Sequence, residues 1–304
     1  DVIYVTESGS GDGTSWSSAA SLEDALSWAA AGDEVFVAKG TYTGSFKLRA
    51  AAKVYGNCVG TETEPPTYTT AEGLETFLKG PGGKRVLYLD GKASEIYGLD
   101  ISGGDASTET TGDGRGVYIN NGGATLKYCN IHDNIGVDGS KNILGSNGKA
   151  LKGVGGGLYV LNGRLENCII ENNIATTAPW EDTSKTWATG IGGGICLDAT
   201  EGNGCNPDNA IVLNCIIRNN STTPTDDGDS FQSQGGGIAI KSGKLINSLV
   251  VGNSVNGSLN NQSVGGGVCC TEKDAYVINC TVAKNHVQGL GGGIGFQTTN
   301  ADGM

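Results

Sequence analysis

The sequence predicts an all-β fold, a single-stranded parallel β-helix (a solenoid) with an N-terminal capping helix. Two observations support this prediction. A glycine triplet followed by an aliphatic residue recurs along the chain, and a second motif with a fixed internal spacing alternates with it. Since no single repeat of this kind can bury its own apolar side, the repeats must stack. We predict one domain over residues 1–304, with a strand and the helix in residues 1–34 and stacked coils in residues 35–304.

The one clear helix is predicted over residues 21–31. Ser21 suits the N-cap position, with Asp24 three residues later, and Gly32 suits the C-terminal end. The apolar residues of this segment share one face, as an amphipathic helix requires: Leu22, Ala25, Leu26 and Ala29. Because the end of a solenoid needs a cover, we expect this helix to close the N-terminal mouth.

The glycine triplet marks one position of each coil. The aliphatic residue after the glycines, and the residue two later, have the parity of a strand and should point inward together. A degenerate copy ends at Gly116, and the five full triplets end at Gly157, Gly194, Gly237, Gly267 and Gly293.

The second motif has an apolar residue, Cys three later, an apolar residue five later and Asn eight later. The Cys position holds Cys129, Cys168, Cys215, Ser248 and Cys280, and the Asn position holds Asn134, Asn173, Asn220, Asn253 and Asn285. Stacked parallel strands lie about 4.8 Å apart, so each Cys should lie over the next in one buried column. We expect the asparagines to occupy a corner, where Asn tolerates a left-handed turn and its amide can bond along the stack.

These motifs, Gly-Gly-Gly-Ile/Val/Leu and Ile/Val-x-x-Asn, resemble the repeats of the pectate-lyase-like right-handed parallel β-helix superfamily. They are most similar to those of bacterial polymorphic outer-membrane and related surface proteins, although the Phe of the family's Phe-x-x-Asn motif is missing. The N-terminal segments 9–16, 32–35 and 40–42 add to the resemblance. It implies a right-handed coil and an exported protein of the cell surface, outer membrane or extracellular space.

Composition excludes two classes of function. The chain has 20 basic and 32 acidic residues and a net charge of −12, which argues against a nucleic-acid partner. It has no apolar run of 18 residues, so we predict no transmembrane helix. Nine cysteines cannot all pair within one chain, but an exported protein could form a disulfide between Cys196 and Cys205.

One candidate for chemistry lies on the strands. The outward residue three after each Cys is His132, then Glu171, then Arg218, a base, an acid and a cation in line. They are weak catalytic candidates for a sugar-cleaving site. The alternative is a solvated ladder of alternating charge. The outward residues one after the Cys form an apolar stripe that a loop or a partner must cover: Ile169, Ile216 and Leu249.

A second candidate lies in long insertions that stacking should bring to one corner: residues 135–154, 174–191, 221–234 and 254–264. Aromatic side chains beside carboxylates suit sugar stacking or a Ca²⁺-assisted glycan contact. Ordinary loop packing is the alternative. We predict no metal site and no cofactor other than Ca²⁺. The predicted ligand-binding residues are Lys149, Lys152, Trp180, Glu181, Asp182, Trp187, Asp226, Asp227, Asp229 and Phe231.

These features favour non-catalytic binding of a polysaccharide, a surface glycan or a host or matrix protein, as in an adhesin. A polysaccharide lyase or glycoside hydrolase using the same face is the rival, and a structural stalk of a larger surface protein is the third class. A cluster of three or more converging carboxylates with a Lys or Arg within ~5 Å would favour an enzyme. Scattered loop charges and a flat aromatic surface would favour binding. Because the chain stops part-way through a coil, we expect a final cover, an end-to-end or side-by-side oligomer, or a longer natural protein.

Overall fold

The computed structural model describes residues 1–90, 93–105, 113–135, 153–176, 190–199, 205–223, 233–256 and 263–297. Over these residues the chain winds into a right-handed parallel β-helix, which confirms the predicted fold class. Each strand pairs in parallel with the equivalent strand of the next coil, so the sheets run along the axis of the solenoid.

Sheet 1 begins the solenoid and follows its whole described length. Its strands are Val2–Val5, Glu34–Ala38, Lys53–Cys58, Glu95–Tyr97, Ala124–Lys127, Gly163–Glu166, Ile211–Leu213, the second half of Ile238–Ile246, and Ala275–Ile278.

Sheet 2 comes next along each coil. Its strands are Gly40–Thr43, Thr76–Lys79, Asp100–Ser102, Asn130–His132, Ile169–Glu171, Ile216–Arg218, Leu249–Val251 and Thr281–Ala283.

Sheet 3 closes each coil, and we number the coils 1 to 8 by its strands. In order these are Phe46–Leu48, Leu87–Leu89, Val117–Ile119, Leu158–Val160, Ile195–Asp198, the first half of Ile238–Ile246, Val268–Cys270 and Ile294–Phe296. Strand Ile238–Ile246 passes through the corner between sheets 3 and 1 and belongs to both.

Two short sheets lie between sheets 2 and 3 in the later coils. Sheet 4 has the strands Ile174–Thr176, Ser221–Thr223, Ser254–Val255 and His286–Val287, and a further pair is formed by Gly153–Val154 and Gly190–Ile191. Short 3-10 helices occupy Trp16–Ser18 and Pro207–Asn209.

The core is a continuous column of apolar side chains inside the three main sheets. Alternate residues of each strand point inward, and equivalent residues lie over one another, as in the register Leu126–Leu165–Val212. The predicted thiol column is confirmed for Cys129, Cys168 and Cys215, which are at most 1% exposed and belong to this core, whereas Cys280 is only partly buried against it. Burial of this apolar area is the main stabilising contribution of the fold.

The capping helix spans Leu22–Trp28 and is shorter than the predicted 21–31. Ser21 is the N-cap, as predicted, and its Oγ accepts the Asp24 amide at 3.1 Å. The helix ends before Gly32 because the Ala30 amide donates a hydrogen bond to the Asp33 carboxylate, at 2.8 Å, instead of continuing the helix. Its buried residues join the core at the N-terminal mouth, as expected of a cap: Leu22, Ala25 and Leu26.

The predicted asparagine ladder is present at the corner after sheet 2. Asn173 shows the pattern: its Nδ2 and its backbone amide both donate to Asn220 Oδ1, each at 3.0 Å, and Nδ2 also donates to the Ile131 carbonyl at 2.9 Å. The left-handed residue is the one before the ladder Asn, for example Asn172 at φ 54°. The prediction had assigned both roles to one residue, whereas the corner uses two.

The glycine triplets are required by close backbone contacts. In coil 5, Gly192 has φ 66°, a left-handed conformation that favours glycine. A Cβ on Gly193 would lie 2.2 Å from the Gly236 carbonyl oxygen, and a Cβ on Gly194 would lie 2.9 Å from Asn220 Nδ2. The triplet therefore lets the chain pass against sheet 4 and against the asparagine ladder.

The structure does not bring Cys196 and Cys205 together as the predicted disulfide, because their side chains belong to different apolar clusters. Cys196 points outward from sheet 3 and packs with Tyr159 and Ala239. Cys205 belongs instead to the inner core, with its thiol 3.5 Å from Asn121 Oδ1. The wall of the solenoid separates the two sulfur atoms.

Candidate functional site

The predicted loop site lies outside the described residues, because Lys149, Lys152, Trp180, Glu181, Asp182, Trp187, Asp226, Asp227, Asp229 and Phe231 all fall in the gaps. The segments that flank the gaps are described. The insertions of coils 5 to 7 leave from sheet 4, whose strands are stacked in register. Those of coils 4 and 5 return through the paired strands Gly153–Val154 and Gly190–Ile191. The described ends of these insertions therefore lie at one corner of the coil, as predicted.

His132, Glu171 and Arg218 lie in register on the outward face of sheet 2, as predicted. Arg218 Nε donates to Glu171 Oε2 at 2.6 Å, so these two neutralise each other. His132 is held at both ring nitrogens, with Nε2 2.8 Å from Asp100 Oδ1 and Nδ1 2.8 Å from Asp133 Oδ2. This geometry is a ladder of ion pairs.

The surroundings of His132 determine its charge. Its hydrogen bond to Asp100 raises the pKa of the imidazole to about 9, against the opposing effect of burial, and the hydrogen bond to Asp133 adds to the rise. His132 is therefore protonated at neutral pH, and it lacks the free lone pair that a general base requires.

The outward apolar stripe of sheet 2 is partly covered. Ile169 is 5% exposed, whereas Ile216 and Leu249 are half-buried.

A different group of side chains converges on the outward face of sheet 3. We call it the tyrosine face. Tyr88, Tyr118 and Tyr159 occupy one outward position in coils 2, 3 and 4. The ring centroids lie 5.1 Å apart for the first pair and 5.2 Å for the second. Around the rings stand five charged residues, which complete the face: Lys47, Arg85, Asp113, Asp198 and Lys241.

Two cations lie against the first two rings. Lys47 Nζ is 4.2 Å from the Tyr88 centroid, and the guanidinium carbon of Arg85 is 4.9 Å from that of Tyr118. Arg85 is 7% exposed, and its Nη2 donates to the Asp113 carbonyl at 2.8 Å. Cation–π attraction and this backbone bond fix the guanidinium in place.

The third ring ends in a polar triad. Tyr159 OH donates to Asp198 Oδ2 at 2.8 Å, and Lys241 Nζ donates to the same oxygen at 2.6 Å. Strand register shifts at Asp198, which aligns with Ser242 and leaves Lys241 as the extra residue of a β-bulge. The bulge aims Lys241 at Asp198, a use of bulges that is common next to functional sites.

Asp113 has an unusual environment for a carboxyl group. Burial raises its pKa to about 6, even though Arg85 and Lys241 favour the charged form. A carboxyl group with such a pKa exchanges its proton near neutral pH. The neighbouring Tyr118 phenol also has a raised pKa, of about 12, because it is buried and because it lies near the charge of Asp113.

The tyrosine face presents ring edges and hydroxyls more than ring surfaces. The rings of Tyr88 and Tyr118 are 18° from parallel and stack on each other, so their faces are engaged. A flat platform for sugar stacking is therefore not formed by this pair. The face offers hydroxyl groups and cations, which suit hydrogen bonding and charge pairing with a polar ligand. Within the described ranges, no three His, Cys, Asp or Glu side chains lie close enough to hold a metal ion.

The sequence-based candidates missed this face, although a signal was present. Tyrosine follows the first inward residue of sheet 3 in three consecutive coils, at Tyr88, Tyr118 and Tyr159. The positions of Asp113 and Lys241 depend on a loop end and a bulge, which a repeat pattern does not reveal.

Comparison with solved structures gives matches along almost the whole chain. A pectate lyase, Pel9A, is 15% identical with a TM-score of 0.44, and the match covers 100% of this chain and 78% of that one. The pectin methylesterase from Aspergillus niger is 13% identical with a TM-score of 0.37, covering 98% and 86%. A tailspike of Acinetobacter baumannii bacteriophage Fri1, a capsular polysaccharide depolymerase, is 13% identical with a TM-score of 0.35, covering 93% and 64%. Likenesses of this size carry no information on activity.

No protein-family model and no curated protein sequence matches the chain. The helix that the structure describes is too short to cross a membrane.

Proposed function

We propose that the protein is an exported β-helix protein that binds a glycan bearing acidic groups, along the tyrosine face and the adjoining insertion corner. One observation carries the proposal. In a chain of net charge −12, three cations gather on the outward side of one sheet, beside three stacked tyrosines: Lys47, Arg85 and Lys241.

The spacing of the face supports a polymeric ligand. Equivalent groups repeat every 5.1–5.2 Å along the solenoid axis, a distance comparable to the length of one sugar unit. A glycan chain lying along the axis would meet Lys47, Tyr88 and Tyr118 in successive coils, because these three side chains are in register and only partly buried. Charge-assisted hydrogen bonds to carboxylates are stronger than neutral ones, which favours an acidic glycan over a neutral one.

The insertion corner adjoins this face. Val154 ends the return segment of the coil 4 insertion and packs in the same cluster as Tyr159. Residues of the four insertions, which include the aromatic and acidic candidates predicted from the sequence, can therefore extend the same surface. Adhesion to a host or matrix surface would use this combined surface.

Binding is tested by calorimetry with polygalacturonate and with neutral dextran, comparing Lys47→Gln with the matched control Lys39→Gln. Both lysines pair with one carboxylate and have similar side-chain exposure, 40% and 38%. We expect binding to polygalacturonate alone, and about 3–10-fold weaker binding for Lys47→Gln, since one charge-assisted contact is lost. Equal losses for the two variants, or equal binding of dextran, would contradict the proposal.

An enzyme is the second candidate. Asp113 lies near the cations Arg85 and Lys241, and its raised pKa would let the carboxyl group give up or take up a proton near neutral pH, as a general acid or base must. The test incubates the protein with the same polymers and measures new reducing ends and the absorbance of unsaturated ends. Product that disappears in Asp113→Asn would establish a hydrolase or lyase. Retained binding without product would leave the binding function.

A further inference from the structure

The inner thiol column is a second feature of the molecule, separate from the tyrosine face. Cys129, Cys168 and Cys215 occupy one position in three successive coils, and the strands that follow them pair in register. Each thiol donates to a backbone carbonyl of its own coil, Cys129 to Lys127 at 3.4 Å, Cys168 to Glu166 at 3.3 Å and Cys215 to Leu213 at 3.2 Å, so the three side chains are held in equivalent positions. All nine cysteines lie in the described ranges, and all are reduced in the structure.

Other cysteines do not repeat in this way. The outward column of Cys196 continues as Ala239 and then Cys269, so an alanine separates its two thiols. In the inner column, Ser248 follows Cys215 and separates it from Cys280. The described chain therefore brings together one run of three neighbouring thiols and no other.

We propose that Cys168 forms a disulfide with either Cys129 or Cys215 when the protein folds in an oxidising compartment, which links two neighbouring coils covalently. Stacked residues about 4.8 Å apart fall within the range of Cα separations that disulfides span. Three thiols in a row allow one bridge at a time, and the middle residue is a partner in both arrangements.

The reaction needs an oxidant, for which a low-molecular-weight disulfide such as glutathione disulfide suffices. One protein thiolate attacks it, forming a mixed disulfide and releasing one glutathione thiol. The second protein thiolate then attacks the mixed disulfide and releases the other glutathione. Two thiols are oxidised and one disulfide is reduced, so protons and electrons balance.

Timing follows from burial. In the folded protein the three residues are at most 1% exposed, and burial raises the pKa of the Cys129 and Cys215 thiols. A closed, protonated thiol reacts slowly with a solution oxidant. The bridge therefore forms during folding, before the column closes.

The test produces the full chain in the bacterial periplasm and in the reducing cytosol, unfolds each purified protein in guanidinium chloride at low pH, and maps its thiols by alkylation and mass spectrometry. We expect the periplasmic protein to contain two fewer alkylatable thiols, and its cross-linked peptides to join Cys168 to Cys129 or Cys215. The cytosolic protein should keep all nine. Nine free thiols in folded periplasmic protein, or a bridge that omits Cys168, would overturn the proposal.

Variants make the assignment specific. Cys168→Ser should abolish the bridge, whereas Cys129→Ser should leave only Cys168–Cys215. The matched control is Cys280→Ser, at the same position of the repeat but with Ser248 as its neighbour, and it should leave the bridge unchanged. If Cys168→Ser does not fold, Ser248→Cys tests the proposal by adding a thiol to the column. This variant should form a second disulfide. The absence of any bridge at residue 248 would count against the proposal.

Discussion

The outward side of sheet 3 differs between its two halves, while the inward side does not. Coils 2 to 4 carry Tyr88, Tyr118 and Tyr159, and coils 5 to 8 carry small residues at the same position: Cys196, Ala239, Cys269 and Gly295. Inward residues are Leu, Val or Ile in coils 2 to 6, for example Ile119 in coil 3 and Ile240 in coil 6. Stacking requires the inward residues, but it does not require the tyrosines.

The small residues follow from the glycine corner. The residue before each triplet packs over the outward position of the next coil, so a Cβ on Gly295 would lie 2.3 Å from Val264 Cγ1. In coils 2 and 3 the position of the second glycine holds Arg85 and Arg115 instead. The corner therefore serves packing in one half and holds charged side chains in the other. The half with the bulky polar residues is the one that holds the proposed tyrosine face.

The largest expected effect concerns the inward side, where the two halves should behave alike. Ile119→Ala and Ile240→Ala each remove a side chain that is 0% exposed. We expect each variant to lower the free energy of unfolding by about 2–5 kcal/mol, through lost burial and a cavity. Urea denaturation measures both. A much smaller loss in one half would show that the core is not equivalent along the axis.

A smaller effect is expected when the outward residues are exchanged between the halves. Ala239→Tyr forces a ring into a site that is 0% exposed and lies in the same apolar cluster as Ile191 and Cys196, so we expect a loss of about 1–3 kcal/mol from overpacking. Tyr118→Ala removes a half-buried ring and its stacking, which contributes about 0.5–1.5 kcal/mol. Thermal and urea unfolding compare the two variants. Equal losses would mean that the tyrosine half is as tightly covered as the other.

A third effect, which depends on pH, concerns Asp113, which shares its repeat position with Val154 and Val264. Burial raises the pKa of Asp113 from 3.8 to about 6, so the folded state holds this proton more tightly than the unfolded chain. Stability should therefore fall as the pH rises from about 4 to about 6, and stay level above that range. We expect Asp113→Val to raise the free energy of unfolding at pH 7 by on the order of 1–2 kcal/mol.

Urea denaturation of both proteins at pH 4, 5, 6 and 7 measures this difference. The gain in Asp113→Val should be absent at pH 4 and should grow to pH 6. A gain that is independent of pH would arise from apolar packing alone, and would contradict the assigned pKa of Asp113.

The sequence was sufficient to predict the features that repeat. Inward positions, the thiol column and the asparagine ladder share one spacing because every coil must match the coil beneath it. Ser21 was predictable from its side chain, which caps the helix locally. Each of these residues is constrained by neighbours at fixed sequence separations.

The candidate site was less predictable because outward residues obey no such constraint. Arg85 reaches the Asp113 and Gly114 carbonyls across an insertion, and Lys241 reaches Asp198 through a bulge. Cys205 entered the core although it lies in an insertion, so the expected bridge to Cys196 failed. These contacts depend on the path by which each insertion or bulge returns to the coil. The length of an insertion does not predict that path.

The asparagine ladder has a consequence for how such a molecule can change length. Every rung donates from one Asn to the oxygen of the next, from Asn134 through to Asn285. Each rung has the same polarity, so the addition or removal of one complete turn leaves the remaining rungs with intact partners. A fractional turn would leave an amide facing the wrong neighbour. Gene duplication can therefore lengthen this architecture only in whole-turn steps, however long the inserted loops become.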